Sequence, residues 1–145
     1  LKEHYTNAKF EFGKAITGRV GRAVTFFSTG FTLPDVLEAA RKIEEESHQT
    51  VRVVNIHTIK PIDKEAIIKC AKETSHLFSV EDHTILGGLG TSISEVLTEL
   101  YPKRLVRIGL NDEFPESAPP SDLYEKYGLS ASQITARVLN EVLDK

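Results

Sequence analysis

Methionine is absent from all 145 residues and cysteine occurs once, at Cys70. A lone thiol excludes an intrachain disulfide framework and is the usage expected of a reducing compartment, which makes a cytoplasmic location the expectation. No apolar run approaches the roughly 20 residues that a membrane-spanning helix requires. The N-terminus has neither a basic n-region nor an apolar h-region, so no membrane association is expected. Basic charge is in short supply too: 18 Lys and Arg face 21 Asp and Glu, a formal net charge of −3. Nucleic acids and anionic surfaces select for a clustered basic face, and the sequence has none, so nucleic acid is not expected as a partner. Internal repeats, low-complexity tracts, a P-loop, a G-x-S-x-G elbow and HExxH are all missing. The chain opens at Leu1 rather than at methionine, and a fragment or a processed product is the expectation.

What remains is ordinary material for one folded unit, with 40% hydrophobic and 27% charged residues. Residues 1–8 are polar and aperiodic, as a linker or frayed terminus would be, and the domain is expected over residues 9–145. Phe10, Phe12, Ala15 and Ile16 precede a turn over 18–21, which predicts a hairpin leading into an apolar strand over 24–28. Pro34 suits a first helical turn, and Val36, Leu37, Ala40 and Ile43 recur at three- and four-residue spacing. A second buried strand follows over 51–56, and Pro61 forbids further pairing beyond it. Asp63 is placed to cap a helix that carries Ile67, Ile68 and Ala71 inward. A third strand is predicted over 76–80, and then a glycine turn leads to a helix with Ile93, Val96, Leu97 and Leu100 on one stripe. Ser92 and Glu95 have capping-box spacing there. Pro102 ends that helix before a strand over 104–110, a proline-rich loop, a short helix closed by Gly128, and a last helix capped by Ser130 and Gln133. Such alternation predicts right-handed crossovers and a mostly parallel sheet covered on both faces.

The stretch from Leu77 to Gly90 draws most attention, because an apolar strand passes through Glu81, Asp82 and His83 into Gly87, Gly88 and Gly90 at the start of a helix. Bare N–H groups at such a turn can hold an anion, or the glycines can simply turn a corner. As a dinucleotide fingerprint the match is partial, since Ile93 stands where the third glycine belongs, although Asp112 does follow the next strand. The histidines include no i, i+3 or i, i+4 pair, so spacing reveals no metal site. His57 and His83 each lie just beyond a parallel strand, at the edge where open α/β sheets place ligands. Glu81, Asp82 and His83 could handle protons or form an interface; a solvated loop is the simpler alternative. Cys70, within an amphipathic helix, is expected to be a packed thiol.

Several ordered motifs carry a resemblance. The run Val53-Val-Asn-Ile-His-Thr-Ile-Lys-Pro-Ile-Asp-Lys-Glu-Ala-Ile67, the turn Ser79-Val-Glu-Asp-His-Thr-Ile-Leu-Gly-Gly-Leu-Gly90, Phe114-Pro-Glu-Ser-Ala-Pro119 and Leu123-Tyr-Glu-Lys-Tyr-Gly128 together resemble the C-terminal domain of transketolases. Phe10-Glu-Phe-Gly-Lys-Ala15 looks like the hairpin that opens that domain, and Thr29-Gly30 like the end of its first parallel strand. The related 1-deoxy-xylulose-5-phosphate synthases and 2-oxoacid dehydrogenase β-subunits share the acidic-loop and glycine-turn pattern, while residues 116–128 are closest to transketolase. Pro115 stands where the family often has glycine.

The resemblance implies a three-layer α/β/α fold with a five-stranded mixed, mostly parallel sheet: four parallel strands, and the first strand antiparallel at an edge. It implies an enzyme, dimeric as a whole, that moves a two-carbon ketol unit between sugar phosphates, as in the pentose phosphate pathway, using thiamine diphosphate and Mg. Those cofactors would lie between the other domains, and none is expected on this chain alone. No catalytic, cofactor-binding or metal-binding residue carries over, so the chain is expected to support assembly with the remaining domains or subunit. The turn formed by Glu81, Asp82, His83, Gly87, Gly88 and Gly90, together with His57, is then a candidate interface. A nucleotide- or anion-binding regulatory module is the alternative reading of the same residues.

Overall fold

The computed structural model describes residue 5 and residues 8–112, 116–117 and 119–143. Apolar residues on both faces of the strands at 24–28 and 76–80 demand cover from two sides, and the chain supplies it by alternating strand and helix. The elements run β1 (Ile16–Arg19), β2 (Val24–Ser28), α1 (Leu33–Ser47), β3 (Val51–Asn55), α2 (Lys64–Glu73), β4 (His76–Thr84), α3 (Leu89–Leu100), β5 (Leu105–Leu110), α4 (Pro120–Lys126) and α5 (Ala131–Leu143). They build a five-stranded sheet in the order β1-β3-β2-β4-β5. β2, β3, β4 and β5 are mutually parallel, and β1 runs antiparallel at one edge.

The period-2 alternation of the strands divides the core in two. Val24 and Phe26 of β2, Val51 and Val53 of β3, Phe78 and Val80 of β4, and Val106 and Ile108 of β5 face α1 and α5. Phe27, Val54 and Leu77 point the other way, onto Ile67 and Ala71 of α2 and Ile93 and Leu97 of α3. The Phe26 and Phe78 rings meet at 5.7 Å between centroids, tilted by 45°, a favourable separation for an aromatic pair. Cys70 lies in the second layer at 4% exposure. Burial raises its pKa in spite of Arg52, whose Nη1 is 3.5 Å from the sulfur.

Local signals explain the helix ends. Pro34 sits in the first turn of α1, and His48 closes that helix in the left-handed region at φ 58°. Asp63 caps α2 with one oxygen, accepting from Ala66 N at 3.1 Å, and with the other accepts from Ala15 N at 2.9 Å. One carboxylate thus starts a helix and ties down the segment that leads into β1. Lys103 donates to the carbonyls of Ala71, at 2.7 Å, and Thr74, satisfying the end of α2. Tyr5 lays its ring on Gly18. Apart from Tyr5 and Ala8, the segment expected to be a linker lies outside the described residues, as do Phe114 and Pro115.

Three expectations change. The predicted hairpin into β2 does not form: β1 pairs with β3, Ile16 opposite Asn55, because both edges of β2 are taken by the parallel partners β3 and β4. β4 does not stop at Val80 but runs to Thr84, where a register shift lets Thr84 pair with Leu110. The capping box at Ser92 is absent because α3 begins earlier, at Leu89. Ser92 lies inside the helix and donates to Gly88 O at 3.2 Å.

Phe26 is fully buried; Phe26→Ala is expected to lower the unfolding free energy by about 3–5 kcal/mol, read from urea denaturation. Cys70 is expected to react with Ellman's reagent far more slowly in the folded chain than in urea, because its thiol is both buried and held protonated.

Candidate functional site

The carboxyl edge of the sheet gathers the ends of β2, β3, β4 and β5, and the residues before Ile16 reach it because β1 runs the opposite way. From β2 the chain crosses to β3 on one side and then returns over β2 to β4 on the other, so the topology reverses between β2 and β4. Open α/β sheets place their ligands at such a reversal.

Glu81 dominates this edge. It is 2% exposed, and its carboxylate lies beneath the start of α3. Oε2 accepts from Leu89 N at 2.7 Å and Oε1 accepts from Gly90 N at 2.9 Å. Two otherwise orphaned donors of the first helical turn, together with the positive end of the helix dipole, are thereby matched by a carboxylate supplied eight and nine residues upstream. Gly88 permits the approach, since a Cβ there would overlap Glu81 Oε2, and Gly87 turns the chain at φ 78°. A Cβ on Gly90 would sit 2.7 Å from Ser79 Oγ and 2.8 Å from Arg107 Cδ, and Arg107 reaches on to donate to Ile85 O at 2.9 Å. The turn that reads in sequence as a cradle for an exogenous anion therefore already holds a carboxylate of the chain itself.

The predicted acidic cluster is divided between the interior and solvent. Glu81 points into the protein, while Asp82 and His83 are exposed. Asp82 Oδ2 accepts from the Tyr124 hydroxyl at 3.3 Å, and His83 Nδ1 lies 3.1 Å from Thr84 O. His57 follows β3, where its Nδ1 shares a hydrogen bond with Thr58 Oγ1 at 2.9 Å and its ring meets Phe10 at 4.6 Å between centroids. Its Nε2 is buried without a partner among the described residues. β2 lies between β3 and β4, so the two histidines are separated by two strand spacings, about 10 Å, and do not form a pair.

At the reversal between β2 and β4 lies a cavity of about 640 Å³ that sequence patterns did not indicate. Phe31 and Asp35 enter from the β2 side, Asp82 from β4, and Leu123, Tyr124 and Ser130 from the C-terminal helices. Burial first, and then Asp82, push the Tyr124 hydroxyl up to about 12, which keeps it a donor. No group of three His, Cys, Asp or Glu among the described residues could hold a metal ion.

Architecture and edge together define a mostly parallel α/β/α domain whose glycine turn is closed by its own glutamate. The family described as "Transketolase, C-terminal domain" matches residues 13–134, and the chain belongs to that family. A transketolase C-terminal section from Methanocaldococcus jannaschii is 38% identical over 143 residues, 98% of this chain and 44% of that protein. The 6-deoxy-6-sulfo-D-fructose transketolase subunit SqwH of a Clostridium species is 36% identical, covering 96% of this chain and 42% of that one. A 1-deoxy-D-xylulose-5-phosphate synthase from Heliobacterium modesticaldum is 39% identical over 99% of this chain, but only 22% of its own length. Among solved structures, a split-gene transketolase, described as an inactive beta4 tetramer, superposes with a TM-score of 0.86 at 38% identity, over 95% of this chain and 45% of that one. The chain thus spans less than half the length of these relatives.

Glu81→Ala strands two buried N–H groups and is expected to cost about 2–4 kcal/mol in chemical denaturation, with Glu81→Gln intermediate because the amide offers a single acceptor. Gly88→Ala, which forces the carboxylate off the helix, is expected to cost about 1–3 kcal/mol in the same experiment.

Proposed function

We propose that this chain is the assembly domain of a transketolase, docking on the rest of the enzyme and contributing no group to the transfer of the two-carbon ketol unit. The observation that carries this reading is the division of labour at the carboxyl edge. Its helix N-terminus is satisfied internally by Glu81, while Phe10, Phe31, Ile59 and Leu86 are left exposed around it. Each of these follows a strand end or, for Phe10, precedes the antiparallel strand, so one edge collects apolar surface of the kind that marks interfaces.

Thiamine diphosphate and Mg belong, on this reading, to the remaining part of the enzyme. A diphosphate does not fit the glycine turn, because the Glu81 carboxylate occupies the donors it would need. The shares of 44% and 42% covered in two transketolase relatives support a complementary region that supplies the cofactor site. The working enzyme on this reading is a dimer of the complete assembly acting in the cytoplasm on sugar phosphates.

The isolated chain, given thiamine diphosphate, magnesium and sugar phosphates, is expected to show no ketol transfer, and turnover would overturn the proposal. Leu86→Asp and Ile59→Asp are each expected to weaken calorimetric binding to the complementary region about tenfold or more, as truncation of a buried apolar anchor does.

A further inference from the structure

We propose that the cavity between β2 and β4 is a binding site for a small organic cation: an ammonium or amidinium head on an apolar body. The inference rests on the cavity alone and does not depend on the docking reading.

Position is the first argument. The cavity lies outside the carboxyl ends of β2 and β4, where the strand order reverses, and its volume of about 640 Å³ falls in the range of small-molecule sites. Its walls are chiefly the rings and alkyl groups of Phe31, Leu123, Tyr124 and Pro120.

Charge is the second argument. Asp35 and Asp82 are the charged residues among the described residues of the lining, which include no Lys, Arg or His. Each carboxylate is held in place by one oxygen: Asp35 Oδ1 accepts from Ala131 N at 3.1 Å, and Asp82 Oδ2 accepts from the Tyr124 hydroxyl. That leaves Asp35 Oδ2 and Asp82 Oδ1 without a hydrogen-bond donor among the described residues. Two anchored carboxylates with spare acceptors and no internal counter-charge match a donor-bearing cation, and the aromatic walls of Phe31 and Tyr124 suit its flat or alkyl body.

The glycine turn supplies the third argument, by elimination. Doubly wound sheets take phosphates at this edge through helix N–H groups, yet here those of Leu89 and Gly90 at the head of α3 are taken by Glu81. With no basic side chain among the described residues of the lining, an anion would meet the carboxylates of Asp35 and Asp82. The reversal point has kept its crevice but exchanged its preference in charge.

Benzamidine, benzoate and benzyl alcohol share a ring and differ in charge, so titrating each into the isotope-labelled chain tests the assignment. Benzamidine is expected to shift the amides of Phe31, Asp82, Leu123, Tyr124 and Ser130 saturably, and benzoate is expected to leave them unmoved. Asp82→Asn and Asp35→Asn keep the shape and an acceptor oxygen, and each is expected to weaken benzamidine about tenfold, the value of one charge-assisted hydrogen bond. Phe31→Ala, at a residue 82% exposed and so free of any core role, is expected to weaken benzamidine and benzyl alcohol alike. Absence of a saturable benzamidine response, an equal response to benzoate, or unchanged affinity in both Asn variants would overturn the proposal. Phe31 belongs also to the exposed apolar set of the docking reading, so the two Asn variants, which leave that set intact, keep the two readings separable.

Discussion

A buried carboxylate beneath a helix start is the contact on which the functional edge depends. Glu81 satisfies Leu89 N and Gly90 N, and the consequences spread outward from there. α3 begins at Leu89 rather than at a capping residue three positions later, β4 continues past Val80, and the glycines pass close over the strand because nothing larger clears the carboxylate. The same two bonds occupy the Leu89 and Gly90 N–H groups at the head of α3.

The sheet order supplies the second constraint. Placing β2 between two parallel neighbours buries it on both faces and both edges, which is why its residues are entirely inaccessible. It also separates His57 from His83 and leaves a crevice at the point of reversal. Apolar residues that would be costly elsewhere gather around that crevice and along the same edge, with Phe31, Ile59 and Leu86 each one turn beyond a strand. An interface and a small-molecule cavity side by side are physically compatible, because both exploit surface that the core has no use for.

Much of this was legible from residue pattern. The three- and four-residue spacing of Val36, Leu37, Ala40 and Ile43 specified α1, Asp63 announced the start of α2, and the alternation of apolar strands with helices required a parallel sheet covered on both sides. Local chemistry was sufficient at these places because a helix stripe, a cap and a fully apolar strand each depend on neighbours within a few positions. The family, too, could be read from ordered motifs spread over nearly the whole chain.

Partners distant in sequence were not legible. β1 pairs with β3 rather than with β2, because strand pairing is settled by which edges remain open after the crossovers are made. Glu81, Asp82 and His83 look equivalent in a line, yet Glu81 is buried beneath the start of α3 while the other two stand in solvent. Asp35 and Tyr124 join Asp82 in one cavity across 47 and 42 residues of chain, a proximity no spacing rule encodes. Side-chain identity determined the elements and the charge available to them; the packing of one strand between two others determined which charges met and which were left facing an open crevice.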